Sequence, residues 1–126
     1  MKMEEIRAEF VDYDPAGDSL LVGTFSRVYS HSVMVGRDLI LDFGRSAEEE
    51  LGFVGFEILD ASEKFGIKKH LLKNIRKLHA EIEIGDNYVK LSISIVITQR
   101  EKERERSKIL EIPTTGLPPM TASITI

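Results

Sequence analysis

Three carboxylates fall where the strand pattern could bring them together. Asp42 lies in Leu39-Ile40-Leu41-Asp42-Phe43, Glu57 lies in Phe53 to Leu59, and Asp60 follows directly. Paired carboxylates act as general acid and base when their surroundings split their pKa values. The same acids also suit the solvated face of a half-buried sheet, and that reading takes precedence. Asp12, Asp14 and Asp18 flank a turn, but the twelfth position of a calcium loop begun at Asp12 is Gly23, where a bidentate Glu is needed. These aspartates read as turn caps. His31, His70 and His79 show no ligand spacing, and on an ideal helix His70 and His79 would face opposite sides. Cysteine is absent, which excludes a thiolate metal cage, a disulfide framework and a cysteine nucleophile. No serine sits in a Gly-x-Ser-x-Gly elbow, and no Gly-rich strand-to-helix loop offers a phosphate cradle. No catalytic residue, metal ligand or cofactor is therefore expected.

A second constellation is basic. Lys69, Lys73, Arg76 and Lys77, with Lys68 beside them, fall in a segment where Ile67, Leu71, Ile75 and Leu78 recur with helical spacing. The pattern predicts an amphipathic helix of roughly three turns over 67–79 with a basic outer face. Such a face could track phosphates, although any solvated helix carries charge opposite its apolar stripe. The seven charged residues Arg100 to Arg106 alternate in sign, net only +1, and read as an exposed loop or hairpin tip.

The remaining elements read as strands. Ile6 to Asp12 alternates loosely, and Asp14-Pro15-Ala16-Gly17-Asp18 is a turn in which Pro15 pre-sets φ and Gly17 supplies a positive φ. Ser19 to Phe25 returns as a strand. Val33 to Val35 and Leu39 to Phe43 form a second hairpin around Gly36-Arg37-Asp38, and Gly44 to Gly52 is an acidic loop that could hold one helical turn. Asp60 or Ser62 is a plausible N-cap, and Gly66 a break. Ala80 to Ile84, a turn at Gly85-Asp86-Asn87, and Tyr88 to Thr98 form a third hairpin, with Leu91, Ile93, Ile95 and Ile97 on one face. Ile109–Ile112 and Ala122–Ile126 close the chain, and the last strand reads as a free edge. Core candidates are Phe10, Leu20, Val22, Leu39, Leu41, Ile58, Ile67, Leu71, Ile75, Ile93 and Ile95. The expected fold is α+β: a mostly antiparallel sheet of hairpins with one amphipathic helical segment packed on it.

Three pieces of the first half carry a resemblance. They are Tyr13-Asp14-Pro15-Ala16-Gly17-Asp18-Ser19-Leu20, then Leu39-Ile40-Leu41-Asp42-Phe43, then Val54-Gly55-Phe56-Glu57-Ile58-Leu59-Asp60-Ala61-Ser62. In this order they resemble the domain-of-unknown-function family numbered 2283, over roughly residues 10–65. The resemblance implies a short β-rich module with no settled activity. Because some members look as if they lie beside genes for small toxin-like proteins, it also implies a partner-binding or antitoxin-like role. The chain departs from the family in its longer acidic connection, Arg45 to Leu51, and in continuing through residues 66–126.

Length and charge bound the whole. One hundred and twenty-six residues, 42% hydrophobic and 30% charged, fit a single domain over 1–126: the family-like module, then a helix plus β-hairpin extension. Residues 1–63 carry a net charge of −9 and residues 64–126 a net of +5, which suits complementary faces meeting in the fold or between subunits. Two Asn, one Gln and many Glu, Lys, Arg and Ile make a thermophile-like composition. No apolar run approaches a membrane span or a signal segment, so a cytoplasmic protein without membrane contact is expected. The function expected is a non-enzymatic interaction module that binds a partner protein or pairs as a homodimer. The alternative is a nucleic-acid-binding regulator using the basic helix 67–79.

Overall fold

Asp14 turns the chain with its own side chain. Its Oδ1 accepts a hydrogen bond from Ala16 N (3.0 Å), closing the turn between strands β2 (Phe10–Asp14) and β3 (Ser19–Gly23). The left-handed residue here is Asp18, at φ 51°, and not Gly17. Strands β4 (Val28–Val35), β5 (Leu39–Arg45) and β6 (Leu51–Ile58) complete an antiparallel sheet in the order β2-β3-β6-β5-β4. Leu20, Leu41, Phe43, Phe56 and Ile58 point inward and are fully buried. The computed structural model describes residues 3–126.

A second sheet is built from β1 (Glu4–Arg7), β7 (Ile75–Ile84), β8 (Tyr88–Gln99), β9 (Lys102–Pro113) and β10 (Met120–Thr125), ordered β1-β10-β7-β8-β9. All its pairings are antiparallel except β1 with β10. One contiguous apolar cluster draws on the inner faces of both sheets, so they share a core. The chain crosses between sheets at Ala8–Glu9, where Ala8 N donates to Thr125 O and Glu9 N donates to Gly23 O. The strand expected over Ile6 to Asp12 is therefore two strands in different sheets.

The expected helix over 67–79 does not form, and the fold is β-rich where α+β was expected. The one α-helix among the described residues is α1 (Ala61–Phe65), stopped by Gly66 at φ 64°. A short 3-10 helix, Lys69–Asn74, buries Leu71 and Leu72. From Ile75 the chain is strand, with Leu78, Ala80, Ile82 and Ile84 buried in alternation. The helical spacing of Ile67, Leu71, Ile75 and Leu78 thus spans three elements. Pairing on both edges, with β8 and β10, outweighs a local helical preference.

Three more expectations change. Of Arg100 to Arg106 only Arg100 and the adjoining Glu101 form the turn, at φ 51° and 64°, and the rest extends β9. The C-terminal strand β10 is no edge, because β1 covers its outer side. The connection after β5 holds a turn, Ser46 to Glu50, without a helical turn. Phe10 and Ile75 are only partly buried, whereas the other nine core candidates are buried.

Candidate functional site

Tyr13, Asp18 and Ser62 meet in one place, and their work is structural. Asp18 is buried, and its Oδ1 accepts hydrogen bonds from Tyr13 Oη (2.6 Å) and Ser62 N (3.0 Å). Its Oδ2 accepts one from Ser62 Oγ (2.6 Å), and its carbonyl accepts one from Ala61 N (3.0 Å). Asp60 occupies the N-cap position of α1 in a left-handed conformation but makes no capping bond with its side chain. Asp18, forty-four positions from Ser62, caps that helix instead. Burial pushes the Asp18 carboxyl up, but the hydrogen bonds from Ser62 and Tyr13 and the charge of Lys69 outweigh it. The carboxyl is therefore held below its ordinary value. Tyr13 moves the opposite way, raised by burial, by its hydrogen bond to Asp18 and by the nearby acids.

The acidic trio does not assemble. Asp42 and Glu57 lie on the outer face of their sheet, diagonal to one another, since Asp42 pairs with Gly55 and Glu57 with Ile40. Asp60 sits at the N-cap of α1. Burial raises the Asp42 carboxyl, opposed by a hydrogen bond from Ser32 Oγ (2.5 Å). Among the described residues no three His, Asp or Glu side chains come together as a metal site.

The basic set also divides. Lys69 and Lys73 are on the 3-10 helix, while Arg76 and Lys77 are on β7 beside the irregularity between Ile75 and Lys77. No single helix face presents them. His79 bonds Thr125 Oγ1 (2.7 Å), and His31 stacks on Phe43 at 5.4 Å between ring centroids.

What the structure does expose is an edge. Among the described residues, strand β4 pairs with β5 on one side and with no strand on the other. Val28 is 78% exposed, Tyr29 60% and Met34 59%, and Phe25, just before the strand, is 72%. Val28–Val35 contains no Lys, Arg, Asp or Glu. Arg27 anchors the strand's start: its guanidinium makes a bidentate ion pair with Glu4 and donates from Nη1 to Phe53 O (3.1 Å). An open groove of about 590 Å³ runs beside this anchor, lined by Glu4, Glu9, Thr24, Ser26 and Arg27 among others. The sequence signal for the edge is the uncharged run between Arg27 and Arg37, in a chain that is 30% charged.

The other edges are blunted. β1 is four residues long and holds two Glu and an Arg, and β2 carries Asp12 and Asp14. β9 points Lys102, Arg104, Arg106 and Lys108 to the same face as its buried Leu110. A row of charges along an edge strand opposes edge-to-edge pairing.

Fold and surface together define a β-rich two-sheet protein with one open apolar edge. No helix among the described residues is long and apolar enough to cross a membrane. The chain is 30% identical over 102 residues to a Methanosarcina mazei protein provisionally named a hypoxanthine phosphoribosyltransferase, covering 81% of this chain and 78% of that one. It is 32% identical over 109 residues to the uncharacterized protein MJ0789 of Methanocaldococcus jannaschii, covering 85% and 90%. The chain belongs to the family of these archaeal proteins. No family model matches it, and no solved structure does.

Proposed function

We propose that this chain is a cytoplasmic, non-enzymatic interaction module that pairs with a second copy of itself through β4. The observation that carries the reading is the exposure of Phe25, Val28, Tyr29 and Met34 along an uncharged edge. An unpaired strand of this kind is a template for another strand. A two-fold partner would lay its own β4 antiparallel to this one, pairing the free backbone groups and burying the exposed side chains. The module-like first half, residues 10–65, contributes the edge, in keeping with the partner-binding role that the resemblance to family 2283 implies.

The name of the Methanosarcina relative raises phosphoribosyl transfer. That chemistry needs a site for a diphosphate and donors for developing charge. The geometry supports it poorly, because α1 is five residues long and the N–H of Ser62 in its first turn already serves the Asp18 carboxylate. The acids that could act as a pair, Asp42 and Glu57, lie half-buried on the outer face of their sheet, and neither lines the grooves beside Arg27, Thr125, Thr121 or Tyr13.

Sedimentation of the wild type and of a Val28→Lys, Tyr29→Lys variant tests the proposal. Wild-type protein is expected to dimerise at micromolar concentrations, and the variant to stay monomeric with a wild-type far-UV circular dichroism spectrum. A wild type that is monomeric throughout, or a variant that dimerises equally well, contradicts it.

A further inference from the structure

The charge run near residue 100 looks neutral in sequence and is sorted by sign in the fold. Within β9 the pleat sends alternate side chains to opposite faces. Lys102, Arg104, Arg106 and Lys108 share the face of Leu110, whereas Glu103, Glu105 and Glu111 share the other. Opposite the four cations on β8 stand Gln99, Ile97, Ile95 and Ile93, so the neighbouring strand offers them no carboxylate. Among the described residues none of the four is in a salt bridge, and the hydrogen bond made by Arg106 Nη1 goes to the carbonyl of Glu105 (3.0 Å). Helix α1, which packs on β9, adds Glu63 and Lys64, one charge of each sign. Lys64 is occupied by Asp38 (3.0 Å). Lys102 and Arg104 are exposed, and Arg106 and Lys108 are half-buried.

The result is a ladder of four cations outside any salt bridge. At two residues per step its rungs stand about 6.7 Å apart, and its length is about 20 Å. We infer that this ladder binds the phosphate backbone of double-stranded nucleic acid. The argument is charge complementarity on a rigid element. A duplex presents a negative charge about every 1.7 Å along its axis, so a line of cations meets phosphates wherever it is laid. No aromatic ring interleaves with the rungs, so the contact is to backbone and independent of sequence. Glu103, Glu105 and Glu111 point to the opposite face of the strand, away from the cations. The inference differs from the basic-helix expectation in element and residues, and it does not rest on self-association through β4.

The test is fluorescence anisotropy of a labelled 20-base-pair DNA duplex titrated at 50 and 200 mM salt. Four phosphate contacts predict a slope of log affinity against log salt near −3.6, or about a 150-fold loss over that range. Arg104→Gln with Arg106→Gln halves the contacts, and the loss falls to about 12-fold. Arg104→Lys with Arg106→Lys is expected to keep the wild-type slope. Glu103→Gln with Glu105→Gln, on the opposite face, is also expected to keep it, with all thermal midpoints within a few degrees of wild type. No wild-type binding at 50 mM salt overturns the inference, as does an unchanged slope for the double Gln variant of the arginines. Poly-glutamate competing as well as unlabelled duplex also overturns it, assigning the ladder to an acidic protein instead.

Discussion

Asp18 shows how a residue that resembles a metal ligand can be a structural anchor. It is one of three aspartates around a turn, and only its partners reveal its work: Tyr13 from the same hairpin and Ser62 at the start of α1. No spacing rule finds a contact across forty-four positions. Asp18→Asn is expected to cost about 2 kcal/mol, the scale of hydrogen bonds to a buried charge, measured by urea unfolding at pH 7. The sign with pH follows from the lowered carboxyl. Its contribution is complete above the unfolded value of about 3.9 and is lost as pH falls through the lower folded value. The gap between wild type and Asp18→Asn should therefore shrink between pH 4 and more acidic solution. A second residue-scale test concerns Arg100 and Glu101, which both hold positive φ in the β8–β9 turn. Arg100→Asn with Glu101→Gly supplies residues suited to that turn and is expected to stabilise the protein by about 1 kcal/mol, read as a higher thermal midpoint.

At the scale of elements, hairpins were legible and long-range partners were not. The turns at Asp14–Asp18, Gly36–Asp38 and Gly85–Asn87 fall between paired strands as their residues predict. Strict alternation likewise marks β8 correctly, since Leu91, Ile93, Ile95 and Ile97 are all buried. Residues 67–79 mislead because four apolar residues drawn from a loop, a 3-10 helix and a strand happen to share helical spacing. Nothing local reports that β10 and β8 flank that strand. The charge run misleads in another way, since sign alternation reads as a solvated loop while a strand of period two sorts it into faces. Glycine carries an element-scale prediction at the β3–β6 pairing. A Cβ on Gly55 would lie 2.3 Å from Val22 O and 2.9 Å from Gly23 Cα. Gly55→Ala must push the two strands apart and is expected to cost about 3 kcal/mol in urea unfolding. A loss below about 0.5 kcal/mol would contradict this close approach.

Across the whole molecule, the uneven charge of the two halves maps onto the fold. The acidic first half supplies β1 and the sheet that ends in β4, and the basic second half supplies the rest of the other sheet. Each half leaves one long edge, and the two edges have opposite character: β4 is uncharged and unguarded, while β9 is guarded by its row of cations. Of the acidic trio, Asp42 and Glu57 are diagonal neighbours on one sheet, while Asp60 lies at the N-cap of α1. The edge was visible only as an uncharged run, since edge and centre strands look alike until pairing order is known. Self-association through β4 is the central claim, and amide hydrogen exchange across a protein concentration series tests it most directly. Pairing predicts that amides of Val28–Val35 exchange more slowly as concentration rises, while those of Lys102–Arg106 on β9 do not change. Exchange in β4 that stays fast and independent of concentration would contradict it.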